Sequence, residues 1–146
     1  LEKRNNNNEG IINTFTNIGL SYFYEDDFKN ALKYFKSAID HNGLANLYHT
    51  TETLTFKHLC EKELGMPVDD SFLKQYIDKK METNKEWFKS EPDYLNWAFY
   101  RLFGDEKYIL EAKKPLDRVS SIHVKKVSSY PMYRKILESF NQMQNL

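Results

Sequence analysis

The stretch from Thr14 to Asn42, TFTNIGLSYFYEDDFKNALKYFKSAIDHN, constrains the fold more than any other part of the chain. Two runs with apolar residues at helical spacing meet there at the polar turn Glu25-Asp26-Asp27. In the first, Phe15, Ile18 and Tyr22 form a stripe at i, i+3 and i+7. In the second, Phe28, Ala31, Leu32 and Phe35 form the facing stripe, continued by Ala38 and Ile39. Stripes joined by so short a turn predict an antiparallel helix pair, over about Ile11–Tyr24 and Asp27–His41. Gly19 and Ala31 are expected at the crossing, where a larger side chain would hold the backbones apart. Asp27 is expected to cap the second helix.

The same residues carry a family resemblance. Phe15, Ile18, Gly19, Tyr22, Ala31, Phe35 and Ala38 fall at the large, aliphatic, Gly, Tyr, Ala, aromatic and Ala positions of the tetratricopeptide repeat (TPR), a helix–turn–helix unit of about 34 residues. The resemblance covers about residues 12–45. Gly43 stands where the family usually has Pro, and Gly also ends helices by taking a left-handed conformation. The resemblance implies an all-α, right-handed superhelical stack of antiparallel helix pairs, an α-solenoid of about seven or eight helices. It also implies a function in binding a protein or peptide, with no chemistry.

The rest of the chain reads as helix. Leu1–Gly10, LEKRNNNNEG, is polar and aperiodic and reads as a flexible Asn-rich linker. Residues 11–146 read as one helical domain. A third helix is predicted over about Leu44–Leu64, stopped at Gly65-Met66-Pro67. A fourth follows to about Met81, capped by Asp69 or Ser71. Thr83-x-x-Glu86 has the spacing of a capping box, and Ser90-Glu91-Pro92-Asp93 reads as a helix start with a capping Ser. That helix ends at Gly104, and Asp105 starts another that is expected to stop before Pro115. Leu116–Val127 is either helical or irregular, and a capping helix follows over 129–143. No strand pattern emerges.

Composition excludes several classes. Of 146 residues, 40% are hydrophobic and 29% charged, a balance that supports a packed core rather than disorder. The 21 basic and 21 acidic side chains cancel, which argues against nucleic acid or an anionic membrane as partner. No apolar run is long enough to span a membrane. A lone cysteine, Cys60, excludes an internal disulfide and a multi-cysteine zinc site, and points to a reducing, cytoplasmic setting. The chain begins at Leu1 without Met, and we expect it to be a piece of a larger protein.

The residues that usually carry chemistry do not converge. On a helix His58 and Cys60 point in different directions, as do His49 and His58, so no metal set forms and Cys60 is expected to be an inert buried thiol. Glu25-Asp26-Asp27 lacks the alternating ligands of a calcium loop. Lys113-Lys114, Lys125-Lys126 and Arg134-Lys135 are expected to be ordinary surface charge. No catalytic residue, metal or cofactor is expected.

In TPR proteins the first helix of a repeat lines a concave groove. With Phe15, Ile18, Gly19 and Tyr22 turned to the second helix, the groove face here carries Asn13, Thr16, Asn17, Leu20 and Tyr24, with Phe23 at its edge. Asn17 precedes the Ile-Gly pair, where the resemblance implies an amide that grips a peptide backbone. A carboxamide both donates and accepts, and so matches a peptide unit. The chaperone-binding subclass uses Lys and Asn where this chain has Thr16 and Leu20, so that clamp is absent. The expected function is a non-catalytic interaction module whose partner is a protein, a peptide or a neighbouring domain of the same chain. The alternative is a regulatory or sensor domain of a larger signalling protein, such as a cyclase, kinase or transcription regulator.

Overall fold

Helix ends in this protein are set by residues within a few positions of them. The computed structural model describes residues 2–42, 47–118 and 130–145, with side chains over 10–41, 51–118 and 130–145. Among the described residues there are seven α-helices: α1 (Glu2–Tyr24), α2 (Phe28–Asn42), α3 (Leu47–Glu63), α4 (Ser71–Thr83), α5 (Asp93–Phe103), α6 (Glu106–Asp117) and α7 (Pro131–Gln144). A short 3-10 turn covers Trp87–Ser90, and no strand occurs among the described residues. The chain groups into two compact units, residues 1–75 and 76–146, where the sequence reads as one helical domain over 11–146.

In the first unit, α1 turns back on α2 through residues 25–27. Asp27 N–H donates to the Tyr22 carbonyl (3.0 Å) and Asp26 N–H to that of Phe23 (3.0 Å), while Asp26 takes φ 60°. This is the left-handed closure usually given to Gly, and Asp tolerates it. Asp27 then caps α2, its Oδ1 accepting from Asn30 N–H at 3.2 Å. The acidic triplet is therefore turn chemistry. Ring contacts run in antiparallel order, Phe15 and Tyr22 to Tyr34 and Phe23 to Phe28.

The close approach within this pair involves Gly19 and Phe35. A Cβ placed on Gly19 would lie 2.6 Å from Phe35 Cε1. Gly19 thus makes room for a fully buried ring, while Ala31, fully buried too, serves the packing of α2. Phe35 also faces Phe56 of α3 (6.2 Å), which in turn meets Phe23 edge-on at 5.3 Å. α3 packs against both α1 and α2. It ends in the same kind of closure as α1: Met66 N–H donates to the Glu61 carbonyl (2.8 Å) around Gly65 at φ 72°.

In the second unit, α5 and α6 form a hairpin whose turn is closed by left-handed Gly104 and capped by Asp105, which accepts from Lys107 N–H. Tyr108 sits between Phe88 and Phe99, at 5.4 Å from each. α7 packs on α6 and α5, and Trp97 Nε1 donates to Ser139 Oγ at 2.9 Å in the interior.

Several expectations need correction. α1 is helical from Glu2, so the Asn-rich stretch read as a flexible linker is helical backbone. Extending a formed helix gains one hydrogen bond per residue, and Asn weakens a helix without blocking it. Thr83 and Glu86 make no capping box: Thr83 Oγ1 donates to the Lys80 carbonyl, and Glu86 N–H donates to Asn84 Oδ1. Ser90 does not cap α5, because its Oγ donates to the Trp87 carbonyl. Buried Asn96 serves that junction instead, its Nδ2 donating to the carbonyls of Phe88 (2.8 Å) and Glu91 (3.3 Å). α6 passes through Pro115 to Asp117, since burying Leu116 in line with Ile109 and Ala112 offsets the one lost helical bond. The start of the third helix at Leu44, Gly43 as a stop, and most of Leu116–Val127 lie outside the described residues.

The two glycines of α1 predict opposite responses to one substitution. Gly10 is exposed, with open space where a Cβ would go. Gly10→Ala should stabilise the protein by about 0.5–1 kcal/mol through helix propensity. Gly19→Ala should gain the same propensity yet end up destabilised, by about 1–2 kcal/mol net, because Phe35 must shift. Urea denaturation of both variants checks the difference in sign.

Candidate functional site

The five residues expected to line a groove separate into two groups. Thr16 and Leu20 are buried. Thr16 Oγ1 lies 3.0 Å from Thr53 Oγ1 of α3, a buried hydroxyl pair between helices. Phe23, expected at the edge, is buried against Phe56. The cause is α3, which covers a second side of α1 and draws in one flank of the assigned face. Phe15, Ile18 and Tyr22, expected to be the packing stripe, are half-buried on the α2 side.

Asn13 and Asn17 remain exposed and Tyr24 half-exposed. With about 100° between successive residues, these three lie within about 40° of one another around the helix. Asn13 and Asn17 are one turn apart, about 6 Å along the axis. Exposed Ser21 continues the strip, and its Oγ donates to the Asn17 carbonyl (3.0 Å), leaving the Asn17 carboxamide to project from a settled backbone. Ser21 was missed by sequence reasoning, although its i+4 spacing from Asn17 signals it. From Ile11 to Tyr24 the helix has no charged side chain. The result is an uncharged face of amides and hydroxyls ending in a tyrosine, able to donate to and accept from an unpaired backbone.

Chemistry-bearing residues elsewhere are held in structural roles. Cys60 is fully buried, and burial, reinforced by Glu61 and Glu63, pushes its thiol up to about 12. Such a thiol is not a nucleophile at neutral pH. Glu61 accepts from Lys57 Nζ at 2.7 Å and faces His58 Nδ1 at 3.3 Å. Burial pushes the Glu61 carboxyl up, but the bonds from Lys57 and His58 outweigh this and hold it below the usual carboxylate range. His49 has its side chain outside the described residues. Among the described residues no three His, Cys, Asp or Glu side chains converge as metal ligands.

The basic pairs are balanced locally. Lys113 pairs with Asp117 (2.9 Å), Lys114 with Glu111 (2.7 Å) and Arg134 with Glu138 (4.0 Å). Pairs at least partly open to solvent like these stabilise little, yet each sets an acidic group beside a basic one. Lys125-Lys126 lies outside the described residues. No described helix is long and apolar enough to cross a membrane. No protein-family model matches the chain, and no curated protein or solved structure matches it.

The Thr16–Thr53 pair joins the covered flank of α1 to α3, and its worth can be measured. Thr16→Val and Thr53→Val should each destabilise, while the double variant should lose less than their sum, with a coupling of about 1 kcal/mol. A denaturation double-mutant cycle reads the coupling directly.

Proposed function

We propose that this chain is a non-catalytic interaction module of tetratricopeptide-repeat type, which binds an extended protein or peptide segment along the exposed strip of α1. The observation that supports it is the pairing of Asn13 and Asn17 one turn apart on an exposed, uncharged helical face, next to half-exposed Tyr24. Side-chain amides at that spacing meet successive polar groups of an extended backbone, and the tyrosine ring offers apolar area at small entropic cost. Thr16 and Leu20 leave the contact set and support the strip from beneath. In this reading α1 and α2 are one repeat, the later hairpins are degenerate repeats in a right-handed superhelical stack, and α7 seals the end as a terminal cap. The partner is a separate protein, a peptide or a further segment of the same polypeptide, and affinity in so short a groove is of order micromolar.

The test is selection of binders from a displayed library of random peptides, followed by calorimetric titration of the selected peptides. Asn17→Ala should weaken binding by about fivefold or more, equivalent to about 1 kcal/mol, while the fold is unchanged by circular dichroism. Lys36→Ala, an exposed change on α2, should leave affinity as it was. Equal affinities for Asn17→Ala and the parent protein would remove this face from the function.

A further inference from the structure

His58 lies near the end of α3 with its ring buried, 4% exposed. Its Nδ1 is 3.3 Å from Glu61 Oε1, and its Nε2 is buried without a hydrogen-bond partner among the described residues. The same Glu61 oxygen already accepts from Lys57 Nζ at 2.7 Å. A neutral imidazole tolerates this arrangement, donating through Nδ1 and leaving Nε2 as an unused acceptor. An imidazolium does not, because Nε2–H becomes a buried charged donor with no acceptor.

The surrounding charges do not remove the conflict. On its own helix Lys57 opposes protonation and Glu61 favours it, and Asp70 at the start of α4 favours it weakly. Asp69 also feels the ring, but its carboxylate is held by the Ser71 hydroxyl and N–H. Desolvation prevails and holds the imidazole below its ordinary value of 6.5. α3 ends at Glu63, shortly beyond, and the chain turns at Gly65 into a connection with exposed Leu64 and Met66.

We propose that protonation of His58 in mildly acidic solution opens the last turns of α3, so that the first unit carries an acid-released latch. Opening hands Nε2–H to water and relieves the buried charge. The closed state binds the proton less readily than the open state. Closure is therefore fully stable above the open-state value of about 6.5, and it weakens as pH falls from there towards the depressed value of the closed form.

Cys60, buried two residues along, reports on the opening. The measurement is its rate of reaction with 4,4′-dithiodipyridine at pH 7 and pH 5, each divided by the rate for the urea-unfolded chain at the same pH. Between these pH values the ratio should rise several-fold, with a ceiling of about 25-fold for one group whose open-state pKa is 6.5. His58→Gln, which cannot take up a proton, should show no rise while keeping its helical circular dichroism. A flat ratio in the parent protein, or an equal rise in His58→Gln, overturns the proposal. Should His58→Gln fail to fold, an NMR titration of the imidazole in the parent protein decides: a folded-state pKa below 6.5 supports the latch, and one at or above it overturns it.

Discussion

The contact between the Phe35 ring and the bare backbone of Gly19 sets the geometry of the first unit. Full burial of a phenylalanine contributes about 1.5–3 kcal/mol, and here it is reached only because the opposing helix has no side chain at that point. The ring then presents its other side to Phe56, and through Phe56 to Phe23, so three helices share one aromatic cluster. The position of α3 follows from that cluster, and the position of α3 decides which part of α1 meets solvent.

Buried polar groups add register to this apolar packing. Thr16 and Thr53 satisfy each other between α1 and α3, and Trp97 with Ser139 does the same between α5 and α7. Asn96 ties the junction before α5 to the 3-10 turn by donating to the Glu91 carbonyl and to the Phe88 carbonyl, which also accepts from Glu91 N–H, although its own Oδ1 is buried without a partner among the described residues. An apolar cluster tolerates small slips, but a hydroxyl pair or an amide with a particular acceptor does not, because a slipped polar group is buried without a bond. His58 in the first unit is likewise only partly satisfied. It is buried with one nitrogen unused, and the price of that arrangement depends on pH.

The one thiol is buried and raised in pKa, Lys113 and Lys114 have acidic neighbours, and the acidic turn is engaged in closing one helix and starting the next. The proposed binding surface is the uncharged, amide-bearing strip of α1.

How legible each feature was depended on how far apart its causes lie in the chain. Helix identity, the Asp27 and Asp105 caps and the Gly104 stop all depend on bonds spanning four residues or fewer, so residue order alone revealed them. The Asn-rich start and the passage through Pro115 went the other way, because propagation of an already formed helix or a buried leucine outweighed a local preference. Ser90 does not cap α5, and the junction is tied instead by Asn96, whose amide donates back eight residues to the Phe88 carbonyl. The proposed binding face shows the same division. Asn13, Asn17 and Tyr24 could be placed together from helical periodicity, but the burial of Thr16 and Leu20 could not. The hydroxyl that meets Thr16 is 37 residues away on α3, and periodicity within one helix carries no information about which second neighbour will cover it.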